Sequence, residues 1–229
     1  MQEYLIKIRM LKFLMELENK FKGNNSSPFS KTELVMNTKA RITVAIASLI
    51  LILTFFFPIW QISLQAPQYP EGLGLNIWIN KITGENYHNL ESINGLNHYI
   101  GMKAITVDSI PELKIMPYII IFLIFFGLLA AVTGKKKLVE AWIAMFIILA
   151  IAGLVDFYMW EYNYGHNLST DAPIKIPGMS YQPPLIGSQK LLNITATSLP
   201  FISSFVIFIS IAMSVVSLFM KSKEKVNAK

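Results

Sequence analysis

Long apolar runs dominate the pattern of hydrophobic and polar positions along the chain. Four of them stand out, at about residues 42–62, 116–133, 138–160 and 199–220. Each comes close to the roughly 20 residues that an α-helix needs to cross about 30 Å of hydrocarbon. The pattern therefore predicts an all-α integral membrane protein, with four transmembrane helices and two long extracytoplasmic loops forming a small cap. These loops are residues 63–115 and 161–198.

The composition agrees with a membrane protein. Of the 229 residues, 53% are hydrophobic and only 15% are charged, whereas a typical soluble domain has about 25% charged residues. The chain has no cysteine, which excludes disulfides, thiolate nucleophiles and Cys-ligated zinc or iron–sulfur sites. Neither a phosphate-binding GxxxxGK[ST] nor a GxGxxG motif occurs, so a nucleotide is not expected as a ligand.

The basic residues are unevenly distributed between the connecting segments. Eight Lys and Arg lie in residues 1–41, three in the turn 135–137 and four in residues 221–229, whereas the two long loops share five. By the positive-inside rule, both termini are expected in the cytoplasm and both loops outside it. The net charge of +6 is thereby explained by topology, and nucleic acid is not expected as a partner.

The two ends of the chain carry separate predictions. In residues 1–35, leucine and isoleucine recur near the helical period with basic residues between them, as in an amphipathic segment on the anionic inner leaflet. Met36 is also a natural start just before the first span, so this segment could instead be a misassigned extension. Residues 221–229 are expected to form a basic cytoplasmic tail.

The side chains with coordination chemistry are concentrated in the two loops. In the first loop, we predict a short strand from Leu75 to Asn80 and a short helix from Asn94 to Met102. This helix would place His98 and Met102 at positions i and i+4, on one face. Imidazole and thioether together favour copper(I). The alternative is a hydrogen-bonded histidine beside a methionine that only packs.

The second loop supplies further candidate ligands. His166 and Met179 could complete a metal site with His98 and Met102 if the two loops fold together. Asp156, one turn inside the predicted third span, is a functional candidate because carboxylates at membrane depth are costly, and Glu161 follows it. At headgroup level, however, Asp156 would simply be solvated.

Three blocks of loop sequence carry a resemblance: YPEGLGLNIWINKITG, INGLNHYIGMK and PPLIGSQKLLNITATSLP. With them, residues 36–220 resemble a group of small bacterial four-helix membrane proteins associated with nitrous oxide reductase accessory genes and periplasmic copper handling. The resemblance implies a multi-pass protein of the bacterial inner membrane with periplasmic loops. The positions that match are Tyr69, Pro70, Glu71, Gly72, Asn97, His98, Gly101 and Met102.

These observations lead to two functional hypotheses. The first is a membrane accessory factor, not an enzyme, for maturation of or copper delivery to a periplasmic metalloenzyme such as nitrous oxide reductase. Copper is then the expected cofactor, and its contacts are His98, Met102, His166 and Met179. The second is a non-catalytic structural subunit of a respiratory or transport complex, whose aromatic-rich loops dock other membrane subunits. In both, the lipid bilayer is a partner.

Overall fold

The computed structural model describes residues 33–220 and 222–225, with side chains for residues 35–220. Most of the segment predicted at residues 1–35, and most of the tail at 221–229, therefore lies outside the described residues. The chain divides into two units, and the larger one, Val35–Lys223, contains all the spans and both loops. The α-helices are α1 (Thr38–Ile50), α2 (Asn89–Ile100), α3 (Glu112–Thr133), α4 (Lys136–His166) and α5 (Ile202–Phe219). The strands are β1 (Glu33–Met36), β2 (Trp60–Ala66), β3 (Tyr69–Ile77), β4 (Ile82–Gly84), β5 (Gly187–Leu191), β6 (Ile194–Pro200) and β7 (Ser222–Lys225).

Among the described residues, four helical segments are long and apolar enough to cross a membrane, which agrees with the predicted number of spans. They are Thr38–Phe55, in which α1 continues as a 3₁₀ turn, and the helices α3, α4 and α5. The first segment ends at Phe55 instead of near residue 62. Pro58 follows shortly after, and proline has no backbone N–H with which to continue a helical ladder.

The spans contact one another through small and polar groups. Ser210 on α5 donates its hydroxyl proton to the Ala47 carbonyl oxygen on α1 at 2.7 Å, and the indole N–H of Trp142 on α4 donates to the Leu123 carbonyl oxygen on α3 at 2.9 Å. A Cβ atom at Gly127 would lie 2.7 Å from the Trp142 ring. Close packing and interhelical hydrogen bonds of this kind hold helices together where no hydrophobic effect operates between them.

The two loops between the spans form a β-sheet, so the prediction of an all-α protein is wrong. Five antiparallel strands lie in the order β4-β3-β2-β6-β5, which makes the fold mixed α/β. The central pair joins the two loops: β2, which follows the first span, pairs with β6, which precedes the last, from Trp60↔Pro200 to Gln65↔Thr195. We call residues 60–110 and 161–200 the sheet region.

The hydrophobic pattern of the sequence does not reveal the sheet, and the reason is physical. The buried residues of β2 alternate with less buried ones, at Trp60 and Ile62, but this short alternation adjoins the first apolar run and merges with it in hydropathy. The strand predicted at Leu75–Asn80 overlaps only the end of β3. A sheet also depends on pairing between distant segments, which the periodicity of a single segment does not reveal.

The second loop packs closely on the helix of the first. Gly101 ends α2 in the left-handed conformation, with φ of 80°. Its carbonyl oxygen accepts a hydrogen bond from the Ser169 N–H at 2.7 Å, and the Tyr99 carbonyl oxygen accepts one from the Ile174 N–H at 2.9 Å. The two loops therefore form one folded region.

Candidate functional site

A small cavity of about 90 Å³ lies between the sheet, α2 and the end of α4. Its wall is mostly apolar, with Ile62 and Leu75 from the sheet and Ile93 from α2. The Met102 side chain, shortly after α2, also lines it. We call this space the Glu161 cavity, after the ionisable residue in its wall.

The length of α4 brings Glu161 to this position. The helix has 31 residues and is therefore about 46 Å long at 1.5 Å per residue, well beyond the thickness of the hydrocarbon core. Its last turns belong to the sheet region. Trp160, Glu161 and Tyr164 lie within one arc of the helix surface and all three line the cavity.

Several polar side-chain atoms of residues around this cavity are buried and have no hydrogen-bond partner among the described residues. Glu161 is only 1% exposed, and both of its carboxyl oxygen atoms are buried without a partner. The Tyr181 hydroxyl and the Trp160 indole nitrogen are also buried without a hydrogen-bond partner. Since the great majority of buried polar groups are paired, three such side chains around one space require an explanation.

The neighbouring Ser198 does not satisfy the carboxyl group. Its hydroxyl lies beside Glu161, but it donates to the Leu185 carbonyl oxygen at 3.2 Å and accepts from the Trp60 indole N–H at 2.7 Å. An ionised carboxyl group in apolar surroundings is strongly unfavourable without a positive partner. Glu161 must therefore hold a proton or face a cation.

The structure gives different surroundings to the first two predicted metal contacts. His98 is exposed on α2, whereas Met102 is half-buried. The helix ends at Ile100, two residues before Met102, so the two side chains do not share a helical face as the spacing predicted.

The other two predicted contacts lie in the second loop. His166 is exposed at the last residue of α4, where its ring stacks on that of Tyr162 with centroids 4.0 Å apart. Met179 is half-buried in a turn, and its backbone N–H donates to the Ile176 carbonyl oxygen at 3.1 Å. Across residues 35–220, no cluster of three or more His, Asp or Glu side chains is arranged to hold a metal ion, so the thioethers would have to complete one.

Much of the INGLNHYIGMK block has a structural role. The Asn94 side chain accepts from the Ile105 N–H at 2.7 Å and donates to the Ile105 carbonyl oxygen at 3.1 Å. A Cβ atom at Gly101 would meet Ala172 at 2.9 Å. These residues fix the path of the chain after α2, and this leaves His98 and Met102 as the block's candidates for chemistry.

Comparison with known proteins does not identify the site: no family model matches the chain, and no curated protein matches it. The sequence did not indicate a site role for Tyr181, and it gave Glu161 only as a carboxylate that follows Asp156 five residues later. Asp156 is exposed in the structure. A carboxylate just after an apolar run resembles one solvated at headgroup level, so the sequence carried no signal that Glu161 is buried.

Proposed function

We propose that the protein is a membrane accessory factor for maturation of, or copper delivery to, a periplasmic metalloenzyme, with nitrous oxide reductase as the first candidate. The observation that carries the proposal is the contact between the end of α2 and the second loop. The backbone hydrogen bonds of Gly101 and Tyr99 to Ser169 and Ile174 join the segment with His98 to the segment between His166 and Met179.

The exposure of the four side chains suits transfer of a metal ion. His98 and His166 are open to solvent, whereas Met102 and Met179 are half-buried. Imidazole and thioether ligands bind copper(I), and exposed ligands allow it to leave again. The four spans anchor the sheet region to the bacterial inner membrane, with both termini in the cytoplasm.

The test measures metal content. The full chain, purified in detergent, is loaded anaerobically with copper(I) and analysed by mass spectrometry beside the His98→Ala/Met102→Ala variant. We expect stoichiometric copper in the wild type and loss in the variant. The matched control is His88→Ala/Met159→Ala, which removes one exposed histidine and one exposed methionine outside the proposed site. Absence of copper from the wild type, or equal copper in the first variant, contradicts the proposal.

A second candidate function is a non-catalytic subunit of a membrane complex. The observation that favours it is the exposure of Tyr99, Ile174 and Ile176 in the sheet region, where a backbone hydrogen bond joins the first two. Exposed apolar groups that lie together mark interaction surfaces. A stoichiometric membrane partner that co-purifies without metal, and is lost in Tyr99→Ser/Ile174→Ser, would support this function over the first.

A further inference from the structure

We propose that α4 and the start of α3 bind one phospholipid of the phosphatidylethanolamine type, from the leaflet next to the sheet region. Its headgroup would lie in a groove between the two helices. An acyl chain would lie beneath the headgroup, against α4. This inference does not depend on the copper chemistry proposed above.

The groove is lined by Glu112 at the start of α3 and by Asp156 and Asn163 on α4. We call it the α3–α4 groove. Its volume is about 330 Å³, compared with about 90 Å³ for the Glu161 cavity beside it. A phosphoethanolamine group has about eight non-hydrogen atoms, which need about as much room as eight water molecules at about 30 Å³ each. The groove can therefore hold the whole headgroup.

The charges of the groove match a zwitterion. Glu112 and Asp156 supply two carboxylates that lie close enough for their charges to act on each other, and Lys103 supplies an amino group. Lys103 and Asp156 are exposed and Glu112 is half-buried, so all three can meet a ligand. Among the described residues none of the three has an ionic partner, because the ion pairs there join other residues. The headgroup ammonium would face the carboxylates, and the phosphate would face the lysine.

The neutral polar groups of the groove narrow the position of the phosphate. The Tyr164 hydroxyl is already engaged with the Ser109 hydroxyl at 3.0 Å. The side-chain oxygen of Asn163 accepts a hydrogen bond from the Asn167 side chain, which leaves the NH₂ group of Asn163 able to donate. Asn163 is therefore expected to bind the phosphate together with Lys103.

The exposure of α4 below the groove indicates where the acyl chain lies. Every residue from 147 to 160 is exposed or half-buried, and residues 151–156 are all exposed. Because a helical turn has about 3.6 residues, this stretch is exposed on every side, including the side toward the other spans. Water is absent from the hydrocarbon core, so lipid chains must fill the space. Asp156 ends the stretch and lines the groove, so an acyl chain there leads directly to the headgroup.

The test counts bound lipids by native mass spectrometry. The full chain is purified in detergent, stripped of lipid and titrated with phosphatidylethanolamine or with phosphatidylglycerol, which has the phosphate but no ammonium group. We expect one phosphatidylethanolamine per chain, bound roughly tenfold more tightly than phosphatidylglycerol, since a hydrogen bond to a charged group is worth about that factor. Soluble glycerophosphoethanolamine, which has no acyl chains, should bind much more weakly than the lipid.

The variants isolate the charges of the groove. Glu112→Gln/Asp156→Asn keeps the shape of both side chains, and it should lose the preference for phosphatidylethanolamine while it still binds phosphatidylglycerol. Lys103→Gln should weaken the binding of both lipids, because both carry the phosphate. The matched control, Glu140→Gln/Asp171→Asn, neutralises two exposed carboxylates outside the groove and should bind as the wild type does.

Each result decides the proposal. Selective binding of phosphatidylethanolamine that depends on Glu112 and Asp156 supports it. Equal binding of the two lipids by the wild type, or an equal loss in the control variant, overturns it. Binding of the soluble headgroup as tightly as the lipid also overturns it, because the acyl chain would then take no part. A dimer that binds no lipid would show that a second copy covers α4 instead.

Discussion

The indole N–H of Trp60 donates a hydrogen bond to the Ser198 hydroxyl at 2.7 Å across 138 residues of sequence. Both side chains are buried. The bond crosses the pair β2 and β6, at the place where the segments following the first span and preceding the last become one sheet. It therefore connects the two loops at the base of the sheet region.

Removal of the Ser198 hydroxyl tests the importance of this connection. In Ser198→Ala the Trp60 indole N–H is left buried without a partner, which costs about 1–3 kcal/mol of folding stability. Thermal or denaturant unfolding of the full chain in one detergent measures the loss. The control is Ser188→Ala, because Ser188 bonds with Thr197 at 2.8 Å in the exposed part of the same sheet. Equal losses in the two variants would contradict a special role for Ser198.

Gly165 allows the second loop to pass close to α4. A Cβ atom there would lie 2.4 Å from the Gln182 backbone nitrogen, and the Gly165 carbonyl oxygen accepts a hydrogen bond from the Tyr181 N–H at 2.9 Å. We expect Gly165→Ala to displace this loop and to destabilise the fold by roughly 1–3 kcal/mol, as overpacking does. A protease should then cleave the variant near residue 182 faster than it cleaves the wild type.

Gly95, within α2, provides the matched glycine control. A Cβ atom there would meet nothing within 4 Å, and alanine is favoured over glycine inside a helix by about 1 kcal/mol. Gly95→Ala should therefore leave the rate of proteolysis unchanged and raise the temperature of thermal unfolding slightly. If Gly95→Ala were as harmful as Gly165→Ala, close contact would not be the cause.

The serines of α5 differ in what their hydroxyl groups bind. Ser210 reaches across to the Ala47 carbonyl oxygen on α1 at 2.7 Å, whereas Ser214 bonds to the Ser210 carbonyl oxygen within its own helix at 2.6 Å. Ser210→Ala should destabilise the helix pair by about 0.6 kcal/mol, and by no more than about 1.7 kcal/mol. Ser214→Ala should cost less, and reversible unfolding in mixed micelles can compare the two.

The predicted topology can be tested because the chain has no cysteine of its own. Tyr87 in the sheet region is 95% exposed, and Lys137 lies in the first turn of α4. In intact cells, a membrane-impermeant maleimide should label Tyr87→Cys and label Lys137→Cys only after permeabilisation. The reverse pattern would show that the positive-inside rule fails for this protein.

Variants at Met102 and Glu161 distinguish a copper contact from a buried carboxyl group beside it. Both side chains belong to the cavity wall, but only the thioether is a ligand that copper(I) prefers. Glu161→Gln should therefore leave copper(I) loading of the purified protein unchanged, whereas Met102→Ala should lower it. Loss of copper in Glu161→Gln would instead show that the metal enters the cavity.

The sequence alone predicted four apolar helices, and the described part of the chain contains four helices long and apolar enough to cross a membrane. An apolar run of about 20 residues is specified locally, because the thickness of the bilayer and the rise of a helix set its length. The INGLNHYIGMK block likewise indicated a short helix, and α2 is present there. The helix begins earlier and ends two residues before Met102, because Gly101 adopts a left-handed conformation that closes it.

Only the tertiary structure decided the sheet and the burial of Glu161. The alternation in β2 and β6 is too short to be distinguished from the adjacent apolar run. It becomes recognisable as a strand pattern only once the two segments pair, with Trp60 opposite Pro200 and Ile62 opposite Ser198. Glu161 has the same identity whether it is solvated or enclosed. Its surroundings come from α2, the sheet and Tyr181, which are distant in sequence and meet only when the chain folds.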